Sequence, residues 1–128
     1  MVYVVVNPAT GEVAVAGGGH PAPRVVRSDG TVTSLDARGL VLGVEPGQSY
    51  EEVHGTLAPG DAVVLYTDGV IEARRDGELY GQERLDRLLA DRAEQPPAQV
   101  ARAVLDDCRA FARGELADDC AVVVVRRV

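Results

Sequence analysis

The sequence predicts an α+β fold, and three observations predict it. The first two-thirds of the 128 residues read as short β-branched runs separated by turn residues; two stretches with helical apolar stripes follow; a run of valines closes the chain. At this length the expectation is one domain, residues 1–128, and a hydrophobic fraction of 46% is enough to build its core.

Val2–Val6 is a β-branched run that ends at Asn7-Pro8-Ala9-Thr10-Gly11, turn residues throughout. Glu12–Ala16 alternates polar and apolar side chains, so the two runs predict a hairpin. Gly17-Gly18-Gly19-His20-Pro21 breaks the strand and Arg24–Arg27 resumes it. Ser28-Asp29-Gly30-Thr31 predicts a second hairpin turn, because Asp-Gly accepts the positive φ such turns require. A short strand follows, then an irregular stretch from Ala37 to Ser49, a strand within Tyr50–Leu57 and a turn at Ala58-Pro59-Gly60-Asp61. Ala62–Tyr66 is apolar at successive positions, which predicts a central strand covered on both faces. Thr67–Gly81 reads as a loop rich in charge and glycine. Leu85, Leu88 and Leu89 share one helical face, as do Val100, Val104, Cys108 and Phe111, with Pro96-Pro97 between the two helices. Ala121–Val125 reads as a second continuous apolar strand.

Composition narrows the function. The formal charge is −7 and all 13 basic residues are arginine, a balance unsuited to binding phosphate backbones. Aromatic residues are 4% with no Trp, which disfavours base stacking, so no nucleic-acid partner is expected. No apolar run approaches spanning length, so no membrane is expected either. Two cysteines, Cys108 and Cys120, without a Cys-x-x-Cys pair argue against a disulfide framework or a zinc-thiolate site. Reduced thiols in a cytoplasmic protein are the expectation.

Asp68 lies two residues beyond the apolar strand Ala62–Tyr66, and Asp118 and Asp119 lie just before Ala121–Val125. If these strands are antiparallel neighbours, the acids converge on one sheet edge. Clustered carboxylates repel unless a proton or a cation intervenes. Hard oxygen donors without His or thiolate partners suit Mg²⁺ or Mn²⁺ rather than zinc. The alternative is that all three are ordinary turn residues at strand ends.

The strings Ala16-Gly17-Gly18-Gly19-His20-Pro21-Ala22-Pro23, Leu42-Gly43, Leu57-Ala58-Pro59-Gly60-Asp61, Tyr66-Thr67-Asp68-Gly69-Val70-Ile71-Glu72-Ala73-Arg74, Leu79-Tyr80-Gly81 and Ala117-Asp118-Asp119 occur in that order. In order and spacing the chain resembles the metal-dependent (type 2C) serine/threonine protein phosphatases, in the branch of stage II sporulation protein E. The resemblance covers nearly the whole chain. It implies a β-sandwich flanked by helices, with two Mg²⁺ or Mn²⁺ ions at one end of an intact family member. A metal-activated water would then hydrolyse phosphoserine or phosphothreonine on a protein. By the same resemblance Asp68 and Asp118 are metal ligands and catalytic, Asp119 is a further ligand or a supporting residue, and His20 lies at the metal end near the substrate. A turn role for His20 stands beside that one. Gly17 and Gly18 depart from the larger residues usual before this histidine.

One feature of the family is absent. Its upstream Gly-Asp strings, which supply the metal-bridging aspartate, have no counterpart, since Gly60-Asp61 matches the turn before the central strand. The expectation is the C-terminal half or two-thirds of a phosphatase domain, with the N-terminal part of the fold missing. It would bind metal weakly, have very low activity by itself, and self-associate through exposed sheet edge. The implied partner is a phosphorylated regulatory protein of the anti-anti-sigma type. A non-catalytic phosphatase-like binding module in sigma-factor or stress signalling is the alternative. Other enzyme classes fit poorly. An aspartate-nucleophile phosphatase needs Asp-x-Asp, yet Tyr66 stands at the first position. In Gly47-Gln48-Ser49-Tyr50-Glu51 the last residue replaces the glycine that closes a nucleophile elbow. The glycines at 17–19 lack the Lys-Ser/Thr of a phosphate-cradling loop.

Overall fold

The computed structural model describes all residues from Met1 to Val128. Strands β1 (Val2–Val6) and β2 (Glu12–Gly17) form the expected hairpin, with Val4 opposite Val15. Asn7 closes its turn: its carbonyl accepts from Gly11 N–H at 2.7 Å and its side chain from Ala9 N–H at 3.0 Å. β3 (Arg24–Val26) and β4 (Val32–Ser34) form the second hairpin across Asp29-Gly30, where Gly30 adopts φ +89°. β5 (Glu52–Thr56) pairs with β2, giving a three-stranded sheet in the order β1-β2-β5.

β6 (Ala62–Tyr66) runs antiparallel to β3 on one side. The segment after it contains a helical turn, α1 (Asp68–Ile71), and a two-residue hairpin of β7 (Arg74–Arg75) and β8 (Glu78–Leu79). The predicted loop is therefore structured, because Asp76 and Gly77, both at positive φ, turn the chain tightly back on itself. The predicted helices are α2 (Gly81–Asp91) and α3 (Pro97–Phe111), and β9 (Val122–Arg126) closes the second sheet in the order β4-β3-β6-β9.

Alternation along β3 and β6 divides the interior into two cores. Val25 and Val63 face the first sheet and pack with Val13, Val15, Leu35 and Leu57. Val26, Val64 and Tyr66 face the helices and pack with Val70, Leu85, Leu89, Val100, Val104, Cys108 and Phe111. β6 is thus covered on both faces, as its unbroken apolar run predicts. The α3 stripe is buried at all four predicted positions, whereas Leu88 of α2 is only partly buried. Each fully buried Val or Leu contributes roughly 1.5–3 kcal/mol, so the two layers hold the sheet from both sides.

The final strand forms where the sequence places it, but its two faces differ in burial. Val123 and Val125 are 55% and 41% exposed, so this continuous apolar strand lies at the edge of its sheet with one uncovered face. Its valine run is continuous, but only Val122 and Val124 meet the helices. The cause lies in how the sheets are stacked. The Leu35 side chain packs against Gly55, which sets β5 over the β4 side and leaves β1 towards β9. The outer strands are β1 and β5 in one sheet and β4 and β9 in the other.

Asp61 fastens the turn before β6. It is 3% exposed, accepts from Ala58 N–H at 2.9 Å and Ser28 N–H at 3.0 Å, and pairs with Arg27 at 2.7 Å. Burial pushes its carboxyl upward, but the Arg27 hydrogen bond and the two backbone donors outweigh burial and hold it below the ordinary carboxylate value. A depressed folded-state pKa stabilises the fold above the unfolded value and loses that stabilisation as pH falls through the folded value. Asp61→Asn is expected to cost about 2 kcal/mol at pH 7. The variant should also show a shallower loss of stability than wild type as pH falls below about 4, measured by urea unfolding across pH.

Candidate metal and phosphoryl site

β6 and β9 are antiparallel neighbours with Tyr66 opposite Val122, so the end of one and the entry to the other share a rim. Thr67 ties the two segments together. Its N–H donates to the Ala121 carbonyl at 3.1 Å, and its hydroxyl donates to the Asp119 carbonyl at 2.9 Å. The hydroxyl also accepts from Ala121 N–H at 3.0 Å. Asp68 opens α1 directly after Thr67. Gly69 lies so close to Asp118-Asp119 that a Cβ there would overlap the Asp119 carbonyl oxygen and come within 3.4 Å of the Asp118 carbonyl carbon. Only glycine permits this approach.

Asp68, Asp118 and Asp119 are thereby brought to one rim, all exposed. None of them, nor Glu72, takes part in any of the chain's seven ion pairs. One Asp118 oxygen accepts from Asp119 N–H at 2.7 Å. No group of three His, Cys, Asp or Glu side chains is arranged to hold a metal ion. The donors are hard oxygens, which fit one strongly hydrated Mg²⁺ or Mn²⁺ held by one or two carboxylates, and do not fit a closed two-metal clamp.

His20 joins this region from the other side. A cleft of about 510 Å³ is lined by Asp68, Glu72, His20, Arg24, Ser34, Asp36 and Gln82 among others, while Asp118 and Asp119 lie outside it. His20 lines the cleft, and its Nδ1 lies 3.0 Å from the Pro21 carbonyl. Behind it Tyr66 donates to the Ala22 carbonyl at 3.2 Å and accepts from Gln82 Nε2 at 3.0 Å. Burial raises the phenol above its usual pKa while the Gln82 hydrogen bond and Arg24 oppose it, so the hydroxyl stays neutral. Arg24 and Gln82 escaped the sequence reading. Arg24 stands at the start of a buried strand, and an arginine heading Val25-Val26 was the one available signal. The cysteines are free, as expected; burial and the nearby Cys120 push the Cys108 thiol up to about 12, so it is inert at neutral pH.

A two-layer sandwich with helices on one outer face and an acidic rim at one end defines a type 2C phosphatase-like class. The Stage II sporulation protein E (SpoIIE) family matches residues 1–128, and the chain belongs to it. It is 28% identical over 128 residues to the phosphoserine phosphatase RsbU of Bacillus subtilis (strain 168), covering 99% of this chain and 38% of RsbU. Its structure superposes on the phosphatase domain of the cell fate determinant SpoIIE from Bacillus subtilis, presoaked with Mn, with TM-score 0.80 at 20% identity, covering 98% of this chain and 55% of that one. The SiaA-PP2C domain of Pseudomonas aeruginosa gives TM-score 0.80 at 26% identity, with 98% and 50% covered. The chain thus spans between about a third and about half of the relatives it matches. No helix is long and apolar enough to cross a membrane.

Proposed function

We propose that this chain forms part of a metal-dependent phosphoprotein phosphatase domain, in which Asp68 and Asp118 hold Mg²⁺ or Mn²⁺ from the two sides of the rim. Asp119 supports them through its backbone contact with Thr67, and His20 borders the substrate position. The observation that carries this reading is the β6–β9 pairing, which sets two uncompensated acidic corners side by side. The ion, when bound, supplies an activated water and neutralises charge developing on the phosphoryl oxygens. The substrate is phosphoserine or phosphothreonine on a regulatory protein of the anti-anti-sigma type. Turnover by this chain alone is very low, because the three aspartates of the rim are not arranged as a joint metal-holding group.

The test is phosphate release from a phosphoserine peptide and from a phosphorylated anti-anti-sigma-type protein, with and without Mn²⁺. The expected result is slow, Mn²⁺-dependent release that Asp68→Asn eliminates. Release that persists in chelator, or in Asp68→Asn, overturns the assignment.

A second reading is favoured by the incomplete donor set: the chain is a phosphatase-like module that docks a partner without hydrolysis. Metal-independent binding of the same regulator, unaffected by Asp68→Asn and Asp118→Asn, selects this reading.

Self-association belongs to the same proposal. Val123 and Val125 on β9, with Tyr3 and Val5 on β1, leave two edges apolar and unguarded by inward charge or proline. Light scattering with sizing is expected to show dimers or larger species at high concentration, and Val123→Lys should shift them towards monomer. A wild-type chain that stays monomeric throughout rules this out.

A further inference from the structure

Arg24 is the one permanent cation in the wall of the cleft that Asp68 also lines. Its side chain is only 10% exposed. It opens β3, with its backbone between Val64 of β6 and Ser34 of β4, so its base cannot swing away. Asp86 on α2 grips the guanidinium side-on: Nε donates to Oδ1 at 2.8 Å and Nη2 to Oδ2 at 2.5 Å. This fork fixes the plane of the group and consumes two of its five N–H bonds.

The third nitrogen, Nη1, has no hydrogen-bond partner in the protein. The buried unpartnered side-chain nitrogens are Arg126 Nε and Arg127 Nε. Arg24 Nη1 is not one of them, so it is not sealed from solvent, and Arg24 lines the cleft. A clamp between β3 and α2 would not need an arginine presented in this way. A buried ion pair adds little net stability over an apolar pair of equal volume. A planar guanidinium with one edge pinned and an unpartnered N–H pair, on a residue that lines a cleft, is suited to a tetrahedral oxyanion.

We propose that Arg24 is a substrate-binding residue that donates from Nη1 to a phosphoryl oxygen of a phosphate monoester in this cleft, with Asp86 holding the guanidinium in place. This rests on the phosphatase reading for the identity of the ligand, but not on the metal. Arg24 supplies the positive charge that Asp36, Asp68 and Glu72 otherwise deny the cleft. Gln82, whose amide already orients Tyr66, stands beside it as a neutral donor.

The experiment is a titration of the ¹⁵N-labelled chain with O-phosphoserine, followed by amide shifts, first in EDTA and then in Mg²⁺. Wild type should bind in the millimolar range, with shifts at Gly19, His20, Ala22 and Gln82. The double variant Arg24→Met/Asp86→Leu removes both partners at similar volume and leaves no charge unpaired. Its affinity should fall about tenfold or more, the effect of losing one charge-assisted hydrogen bond. Arg24→Lys retains the charge but not the fork, so it serves if the double variant fails to fold, and it should lose affinity similarly. Affinity within twofold of wild type in a folded variant makes Arg24 a structural clamp and overturns the proposal. Wild type that binds in neither buffer, or shifts that map away from the cleft, also overturn it. Failure of the metal assignment is read separately, as Mn²⁺ binding that survives Asp68→Asn.

Discussion

Asp68→Asn and Asp118→Asn are each expected to weaken Mn²⁺ binding at least tenfold, and together to abolish it, as read by calorimetry or by the paramagnetic broadening of nearby amides. The expectation follows from charge and position. Each carboxylate is exposed and free of any arginine partner. Each Asn replacement removes one unit of charge while preserving shape, so the fold should be untouched. A hydrated divalent ion held by only two carboxylates depends on both of them. Retention of wild-type affinity in either single variant would show that this residue is a turn acid and not a ligand.

Gly69→Ala is expected to lower stability by about 2 kcal/mol or more, the range for forcing atoms into a packed interior. A drop in Tm of roughly 8 °C corresponds to that loss for a domain of this size. The added methyl would meet backbone, the Asp119 carbonyl group, and backbone cannot rotate aside as a long side chain can. Relief requires α1 to move off the Asp118-Asp119 segment, stretching the Thr67 hydrogen bonds at 2.9 Å and 3.0 Å that join the two corners. The variant should therefore lose Mn²⁺ affinity as well as stability. A melting curve superimposable on wild type would mean that the two segments are not held at this spacing in solution.

Much of the site was legible in the residues themselves. The two acidic corners stood next to the two most apolar runs, and turn chemistry marked where each run stopped. Arg24 was not legible in the same way, because its partner Asp86 lies 62 positions further along and nothing local announces the pairing. The helical turn at Asp68–Ile71 was missed as well: four residues are too few to show periodicity, and it is held by packing of Val70 in the helical core.

Outside the Thr67–Gly81 segment, the kind and order of the elements follow from local sequence. The 2.0 and 3.6 residue periods, the glycines of the turns and the family strings are all local properties, written within a few residues of where they act. Which strands meet and which faces are covered depends on long-range packing. β6 and β9 are both valine-rich, yet β6 is enclosed and β9 is half open, because burial depends on what the other sheet places opposite each strand. The joining of Thr67 to Asp119 across 52 positions is likewise a consequence of strand order, and it is this long-range pairing that turns two isolated acids into a site.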